Sequence, residues 1–268
     1  LVADTSQTNT TDEYILNPNI FNLVLLGIDS DNDREVNDMG YRSDTMVVCA
    51  IDVQNETIQA ITIPRDTKAT MNLLKDDGSG DFDRLYTYRI NSAFEFAFCG
   101  RADLAYQNTM DAIEVLFATT GLEVNLESYL GIDMDGIGPL ATAVGGVPVT
   151  LDATIPDVGQ AGESLLLKGD VAKLYVRTRK GEGLTGSDVD RANRQQLFFL
   201  GLARQIKNMG VMAMPGLYST VSAFMDTNLT LDQILALAGL LNGMNIEQDV
   251  TFHTLAGDYV QENGQAMY

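Results

Sequence analysis

Short apolar runs alternate with longer amphipathic segments along this chain, and the alternation limits the folds it can adopt. Residues 22–28 form an apolar run of strand length, the pattern of a strand that is covered on both faces. Residues 46–52 and 57–63 are two further strand patterns separated by a short turn, which predicts a hairpin. Residues 104–120 then show the spacing of a long amphipathic helix. This order predicts an α/β fold with a central mixed β-sheet flanked by helices.

The rest of the chain continues this alternation without a break in composition. Residues 72–84 are polar and contain glycine, which predicts a mobile loop. Further predicted strands cover residues 129–132, 147–151 and 252–255, and further predicted helices cover residues 92–98, 135–144, 191–207 and 231–241. We therefore predict a single domain over residues 20–268, preceded by a polar arm of residues 1–19.

The charge balance restricts the partners of the chain. Of its 268 residues, 37 are acidic and 17 are basic, so the formal net charge is −20. Nucleic-acid binding needs a basic face that replaces counterions on phosphates, so this composition argues against nucleic acid as a general partner. It also argues against electrostatic adhesion to anionic lipid.

The N-terminal sequence suggests that a segment is missing. The chain begins at Leu1 instead of a methionine and is polar through Thr11. No run approaches the roughly 18–20 apolar residues of a membrane span, and no signal peptide is visible. We therefore expect a longer natural protein, in which the preceding segment is a candidate membrane anchor.

Sulfur and imidazole chemistry has few candidate residues. Cys49 and Cys99 fit no metal-binding spacing, and the sequence is compatible both with one disulfide and with two buried free thiols. His253 is the single histidine and has no serine or cysteine motif beside it, which argues against a Ser/His triad. The sequence also contains no Walker loop and no glycine-rich dinucleotide fingerprint.

Arginines are concentrated between residues 174 and 196, which is unusual in so acidic a chain. If the chain is extended from Val176 onward, Arg177 and Arg179 point to one side. A guanidinium group binds phosphate through two parallel charge-assisted hydrogen bonds and does not lose its proton. The stretch therefore predicts an anion site, and specifically a phosphate site.

A helix that follows this stretch would add further basic side chains. With a cap at Asp188 or the residue before it, Arg191, Arg194 and Gln195 fall on one helix face at i, i+3 and i+4. The alternative is a set of surface salt bridges in which Asp188 and Asp190 pair with these arginines.

Charged residues also stand at one end of each of the first three predicted strands, where a buried strand would otherwise simply stop. They are Asp29, then Arg42 with Asp44, then Arg65 with Asp66. Ligands of open α/β sheets collect at strand ends, and Mg²⁺ prefers carboxylate, water and phosphate oxygens. Asp29 and Asp44 are therefore candidate Mg²⁺ ligands. The alternative is that each carboxylate pairs with a neighbouring arginine and closes a loop.

Seven short sequence blocks stand out along the chain: residues 25–29 (LLGID), 42–46 (RSDTM), 63–67 (IPRDT), 89–94 (RINSAF), 143–147 (AVGGV), 175–179 (YVRTR) and 190–196 (DRANRQQ). These blocks resemble the LytR-CpsA-Psr proteins, and they occur in the order seen in that family. The resemblance implies one extracytoplasmic α/β domain with an apolar lipid-binding tunnel. It also implies an N-terminal membrane helix and the cell envelope of a Gram-positive bacterium.

The activity implied by the resemblance is that of a Mg²⁺-dependent phosphotransferase. Such an enzyme moves a glycopolymer, for example teichoic acid or capsule, from a polyprenyl pyrophosphate carrier to peptidoglycan. By resemblance, Asp29 and Asp44 are the metal ligands. The expected pyrophosphate-binding residues are Arg42, Arg65, Arg89, Arg177, Arg179, Arg191, Arg194 and Gln195. Arg89 stands where the family often has lysine, which keeps the charge and changes its reach.

The expected chemistry needs cations at the phosphates and a base for the acceptor hydroxyl. Arg42 and Arg65 would neutralise charge on the pyrophosphate, and either Asp44 or Asp66 would take the proton. Two alternatives remain open at this stage. One is a polyprenyl pyrophosphate hydrolase, in which water replaces the sugar hydroxyl. The other is a regulatory module that binds polyprenyl phosphate without turnover.

Overall fold

The structure is a computed structural model that describes residues 17–29, 41–75, 81–97, 101–178, 188–258, 260–262 and 265–268. Its strands are β1 (Ile20–Asp29), β2 (Arg42–Asp52), β3 (Thr57–Thr62), β4 (Lys68–Leu74), β5 (Phe82–Arg89), β6 (Ser128–Asp133), β7 (Val147–Thr150), β8 (Ser164–Leu167), β9 (Met225–Thr227), β10 (Val250–Thr254), β11 (Val260–Glu262) and β12 (Gln265–Met267). Its helices are α1 (Ser92–Ala97), α2 (Ala102–Ala118), α3 (Ile137–Ala143), α4 (Gly169–Arg177), α5 (Asp188–Met209), α6 (Met214–Val221), α7 (Leu231–Gly243) and α8 (Ile246–Asp249). Short 3₁₀ turns cover Met134–Gly136, Val211–Ala213 and Ser222–Phe224.

The central sheet of the described chain contains six strands in the order β10-β3-β2-β1-β6-β9. Its middle strand β1 is antiparallel to β2 and parallel to β6. β2 and β3 form the predicted antiparallel hairpin. β10 adds to β3 in parallel, and β9 adds to β6 in an antiparallel direction. The sheet is therefore mixed, and the predicted α/β class is confirmed.

β1 buries side chains on both faces of the sheet, as the period of two in a strand requires. Val24 and Leu26 belong to the core on the first face, together with residues of α1, α2 and β4. Leu23 belongs to the core on the second face, where Phe199 of α5 and Leu237 of α7 pack against it. The apolar run of β1 is continuous because both faces of the strand are buried.

An apolar cavity of about 310 Å³ lies on the second face, between the sheet and the helices. Leu25 and Cys49 contribute to the sheet wall, whereas Phe198 of α5, Leu217 of α6 and Leu237 of α7 contribute to the helix wall. No charged side chain of the described residues lines this cavity. Its lining therefore suits an apolar ligand.

The predicted loop over residues 72–84 is wrong. β4 and β5 form an antiparallel hairpin there, and residues 76–80 between them lie outside the described part of the chain. Ala69 and Met71 of β4 alternate into the core, whereas β5 is exposed over most of its length. Because only one side of this hairpin packs on the protein, its sequence is polar enough to resemble a loop.

The prediction of an extended segment from Val176 onward is also wrong for Val176 and Arg177. α4 runs through these residues, and Ala172, Tyr175 and Val176 are its buried side chains. Their spacing of three and four residues is that of a helix face, so tertiary packing favours the helix over the strand. Arg179 lies outside the described residues.

The helix predicted over residues 191–207 is confirmed as α5, which is longer at both ends. Thr230 caps α7 as part of a capping box, because its hydroxyl accepts from the Gln233 backbone N–H and the Gln233 side chain accepts from the Thr230 backbone N–H. β8, α6 and β9 were not predicted. They are short elements of three to eight residues, too short to show a clear hydrophobic period.

Two further predictions concern the cysteines and the membrane. Cys49 is a buried free thiol, and Cys99 lies outside the described residues. Residues 1–16 of the predicted polar arm also lie outside them. Across the described ranges, no helix has both the length and the apolar character that a bilayer crossing requires.

Candidate active site

The ends of neighbouring strands bring the predicted site residues to one edge of the central sheet. Asp29, the last residue of β1, is paired in register with Arg42, the first residue of β2. Arg65 and Asp66 follow β3, the next strand of the same sheet. These charged strand ends therefore meet at one edge of the sheet.

A β-bulge places Asp44 at this edge. Gly27 pairs with Thr45 and Ile28 pairs with Ser43, so Asp44 is the extra residue on β2. A bulge twists a strand locally and re-aims one side chain, and such bulges are common beside active sites. A methyl group at Gly27 would lie 3.0 Å from both Met134 Cε and Thr45 Cβ, so β1 has little room for a side chain at this position beside the bulge.

Asp44 is the centre of a cluster of residues from four separate segments. Arg65 Nη1 donates to Asp44 Oδ2 at 2.7 Å, and Asn91 Nδ2 donates to Asp44 Oδ1 at 3.2 Å. Arg191 Nη1 of α5 lies 3.8 Å from Asp44 Oδ2. The Asp44 side chain is 11% exposed, so these contacts form in a partly desolvated place where charge interactions are stronger than in water.

Backbone hydrogen bonds hold the segments that carry this cluster. The Asn91 N–H donates to the Arg65 carbonyl at 3.2 Å, and the Ser43 N–H donates to the Asn91 carbonyl at 3.3 Å. On the other side of the turn, the Tyr268 N–H donates to the Asp66 carbonyl and the Lys68 N–H donates to the Tyr268 carbonyl, both at 2.8 Å. The turn after β3 is therefore fixed from two sides, which limits the positions open to Arg65.

Three more ion pairs extend the cluster across the edge. Arg42 Nε donates to Glu95 Oε2 of α1 at 2.8 Å. Arg89 Nη1, at the end of β5, lies 3.5 Å from Asp66 Oδ1. Arg65 Nε lies 3.9 Å from Asp66 Oδ2, so Asp66 is shared by two guanidinium groups.

α4 contributes to the same edge from the second face of the sheet. Arg177 Nη2, in its last turn, lies 3.6 Å from Asp29 Oδ1. One helical turn earlier, Lys173 pairs with Asp135. Gln195 of α5 donates through Nε2 to the Val176 carbonyl at 3.3 Å and also lines the apolar cavity. The charged edge and the cavity therefore adjoin at Gln195.

Arg194 differs from the other predicted phosphate ligands because its side chain is completely buried. Its Nη2 donates to the Thr178 carbonyl, just beyond the end of α4. Burial lowers the pKa of this guanidinium, partly offset by the nearby Asp152, Tyr175 and Asp190. A cation at the C-terminal end of a helix is favoured by the exposed carbonyl groups there. The pyrophosphate-binding role of Arg194 stays a prediction.

Asn91, Glu95 and Asp133 lie at this edge although they were not predicted as site residues. Asp133 ends β6, and in the parallel pairing of β6 with β1 it is opposite Ile28, beside Asp29. Burial raises the pKa of Asp133, partly offset by the hydrogen bond from the Asp135 backbone N–H and by the Lys173 charge, whereas the Asp135 and Asp29 charges add to the rise. The signal that could have found Asp133 is the carboxylate at the end of a second parallel strand.

The residues at this edge fit a Mg²⁺ ion, whose presence the family resemblance implies. Asn91 Oδ1 is a buried oxygen without a hydrogen-bond partner within the described ranges, and Nδ2 of the same amide donates to Asp44. Among the described residues, no group of three or more acidic, cysteine or histidine side chains could hold a metal. Mg²⁺ commonly uses one or two carboxylates and takes its other ligands from water and substrate phosphates, so such a group is not required.

The chain matches the model of the LytR_cpsA_psr family over residues 2–268. The chain belongs to this family. The family membership agrees with the order of the sequence blocks, and residues of six of these blocks, from Asp29 to Arg191, meet in the charged cluster.

Two relatives of this LytR_cpsA_psr chain are named polyisoprenyl-teichoic acid–peptidoglycan teichoic acid transferase TagU. The relative from Halalkalibacterium halodurans is 29% identical over 234 residues, which cover 85% of this chain and 68% of the relative. The relative from Enterococcus faecalis is 28% identical over 221 residues, which cover 81% of this chain and 64% of the relative. The chain therefore spans about two thirds of the length of these relatives.

A solved structure, TagT bound to LI-WTA, has the same fold. It superposes with a TM-score of 0.67 at 19% sequence identity, over 94% of this chain and 84% of that chain. At this identity, the likeness shows a shared fold and no more.

Proposed function

We propose that this LytR_cpsA_psr domain is a phosphotransferase that moves a glycopolymer from a polyprenyl pyrophosphate carrier to peptidoglycan. The observation that carries the proposal is the convergence of Arg65 and Arg191 on Asp44, beside an apolar cavity. A cluster of arginines and carboxylates next to an apolar cavity matches a ligand that has a charged head and a hydrocarbon tail. The names of the two TagU relatives support teichoic acid as the transferred polymer.

The polyprenyl tail would occupy the cavity on the second face of the sheet. Its lining is apolar, and burial of the tail would contribute about 0.8 kcal/mol for each CH₂ group that leaves water. Gln195 lies where the cavity adjoins the charged cluster, so a tail bound there would hold its pyrophosphate beside the arginines. Such positioning lowers the entropy cost of bringing the reactants together in the reaction step.

The reaction exchanges one phosphorus–oxygen bond for another. The hydroxyl oxygen of the acceptor attacks the phosphorus that carries the glycopolymer, and the bond from this phosphorus to the bridging oxygen breaks. Polyprenyl monophosphate leaves, and the acceptor gains a phosphodiester bond to the polymer. The hydroxyl proton passes to Asp44 or Asp66, both of which pair with Arg65.

The arginines lower the barrier by neutralising charge. Before attack, the phosphate oxygens repel a nucleophile, and during attack negative charge builds on the leaving phosphate. Arg65 and Arg191, held around one carboxylate, are already positioned before the substrate arrives. Asp29 and Asp44 would hold Mg²⁺, which when bound supplies further charge neutralisation at the phosphate oxygens.

The site of action would be the extracytoplasmic face of the cell membrane. Both proposed substrates, a lipid-linked polymer and peptidoglycan, meet there. We further propose that a segment preceding this domain anchors it to that membrane.

The test is a reconstituted transfer reaction. A polyprenyl pyrophosphate-linked teichoic acid, Mg²⁺ and a soluble peptidoglycan oligosaccharide should yield a polymer–oligosaccharide conjugate and polyprenyl monophosphate. Arg65→Ala should lower the rate by at least about 100-fold, the cost of losing one charge-stabilising donor. Arg204→Ala removes an exposed arginine that pairs with Glu247 and is the matched control.

Other outcomes of this reaction identify the alternatives. Cleavage of the carrier without conjugate formation would indicate a polyprenyl pyrophosphate hydrolase. Tight binding of the carrier with no cleavage under any condition would indicate a regulatory binding module. Chelation of divalent ions with EDTA tests the metal, because full activity in EDTA would contradict the proposed Mg²⁺ dependence.

A further inference from the structure

Three aromatic side chains form a partly exposed patch at the border of the charged cluster. Tyr86 and Tyr88 are two residues apart on β5 and therefore share one face of that strand. Their ring centroids are 5.9 Å apart. Phe96 of α1 joins them, with its centroid 5.6 Å from that of Tyr86 and 6.1 Å from that of Tyr88. We refer to Tyr86, Tyr88 and Phe96 as the aromatic patch.

The exposure of the patch is not explained by core packing alone. Phe94 and Tyr106, from the same region, are buried in the core on the first face of the sheet. Tyr88 and Phe96 pack against this core and are only partly buried, whereas Tyr86 leaves 42% of its surface exposed. Grouped exposed apolar side chains are a common mark of a ligand-binding surface.

The aromatic patch borders the charged cluster at two points. Tyr88 is followed directly by Arg89, whose Nη1 lies 3.5 Å from Asp66 Oδ1. Phe96 is preceded directly by Glu95, which accepts the hydrogen bond from Arg42 Nε. The patch and the charged cluster are therefore neighbours along β5 and α1, with the Tyr88 and Arg89 side chains on opposite sides of β5.

The patch and the apolar cavity lie on opposite faces of the central sheet. β4, which pairs with β5, packs with α1 and α2 into the core of the first face, whereas the cavity lies under α5, α6 and α7 on the second face. In phosphoryl transfer, the attacking and leaving oxygens are roughly in line on opposite sides of the phosphorus. If the lipid phosphate leaves toward the cavity, as the proposed function requires, the nucleophile must approach from the side of the patch.

We propose that the aromatic patch binds the acceptor glycan of peptidoglycan and so delivers its hydroxyl group to the arginine cluster. A sugar ring presents C–H groups on its faces and hydroxyl groups around its edge. The tyrosine side chain matches both, because it has an apolar ring and a polar hydroxyl at its tip. Tyr86 takes no part in bond making or breaking and is a binding residue for the acceptor.

The test separates acceptor affinity from turnover. Tyr86→Ala should raise the KM for a soluble peptidoglycan tetrasaccharide about tenfold, the loss of one aromatic contact. The kcat at saturating tetrasaccharide and the KM for the lipid-linked donor should stay within about twofold of wild type. Tyr86→Phe keeps the ring and loses only the hydroxyl, so its KM for the tetrasaccharide should rise less than that of Tyr86→Ala. Met212→Ala removes a 94% exposed apolar side chain from the turn between α5 and α6 and is the matched control.

Two results would overturn the inference. The first is an unchanged acceptor KM in Tyr86→Ala. The second is an increase in the donor KM alone, which would assign the patch to the glycopolymer of the donor.

Binding without turnover distinguishes this inference from the proposed function. In an NMR titration with the tetrasaccharide alone, wild-type protein and Tyr86→Phe should bind, and Tyr86→Ala should bind about tenfold more weakly. If Tyr86→Ala binds the tetrasaccharide about tenfold more weakly than wild type and wild type forms no conjugate, the proposed transfer is contradicted and the patch is upheld. If transfer occurs and Tyr86→Ala binds the tetrasaccharide like wild type, the patch is contradicted and the transfer is upheld.

Discussion

Arg65 Nη1 and Asp44 Oδ2 lie 2.7 Å apart although 21 residues separate them in the sequence. Asp44 is the extra residue of a bulge in β2, and Arg65 follows β3, so the pair joins two neighbouring strand ends. The Asp44 side chain is 11% exposed, and the Arg65 side chain is 17% exposed. The pair is therefore sheltered enough for its ion-pair hydrogen bond to contribute to stability as well as to function.

A double-mutant cycle with Arg65→Gln and Asp44→Asn should show this coupling. We expect a coupling free energy of about 1–3 kcal/mol, typical of a sheltered hydrogen bond between charged groups. Chemical denaturation of the wild type, both single variants and the double variant measures it. The matched control is Arg101→Gln with Asp103→Asn, an exposed pair at the same 2.7 Å distance, which should show no measurable coupling. Equal coupling in the two cycles would contradict the stated effect of burial.

Arg194 and Arg177 should respond differently to removal. Arg194 is fully buried and holds the Thr178 carbonyl, so Arg194→Ala should lower the free energy of unfolding by about 2–4 kcal/mol. Arg177 has a side chain that is 36% exposed, so Arg177→Ala should cost about 1 kcal/mol or less. Arg177→Ala should nevertheless abolish transfer, because it removes a cation from the proposed pyrophosphate site. Urea unfolding and transfer assays of both variants check this difference. A larger loss of stability in Arg177→Ala than in Arg194→Ala would contradict the structural role assigned to the buried Arg194.

Cys49 should make the stability of the protein fall at alkaline pH. Burial raises the pKa of its thiol from 9.0 to about 12, so between these values the unfolded chain releases a proton that the folded chain retains. The stability contributed by the neutral thiol is complete below pH 9 and is lost as the pH rises toward 12. In a Cys99→Ser background, the free energy of unfolding should fall by about 1–2 kcal/mol more between pH 8 and 10.5 with Cys49 than with Cys49→Ala. Identical pH profiles would mean that the Cys49 thiol titrates normally in the folded protein.

The sequence was sufficient for the central strands of the fold. The continuous apolar run of β1 predicted a strand that is covered on both faces, and it lies in the middle of the sheet with apolar cores on each side. The β2–β3 hairpin was predicted from two strand patterns and one turn, because its contacts are local in the sequence. The β4–β5 hairpin could not be predicted in this way, since one side faces solvent and its polar residues resemble a loop.

The charged site was predicted in its membership more than in its geometry. Eight of the predicted site residues lie at one edge of the sheet: Asp29, Arg42, Asp44, Arg65, Asp66, Arg89, Arg177 and Arg191. Asn91 was not expected to contact Asp44, because the contact depends on a turn of β5 into α1 that no local pattern shows. The extended conformation predicted at Val176 was wrong. The helix there, Gly169–Arg177, has only nine residues, and its sequence is too short to distinguish a helix from a strand before the burial of its side chains is known.

The sequence by itself determined the fold class, the family and the set of charged residues, because hydrophobic period, turn residues and motif order are properties of the chain alone. Only the tertiary structure decided which carboxylate meets which arginine. It also decided that Arg194 is buried while Arg177 is partly exposed, and that the aromatic patch and the apolar cavity lie on opposite faces of the sheet. The physical reason is that these relationships depend on strand register, a one-residue bulge and helix packing. All three arise from contacts between residues that are distant in the sequence.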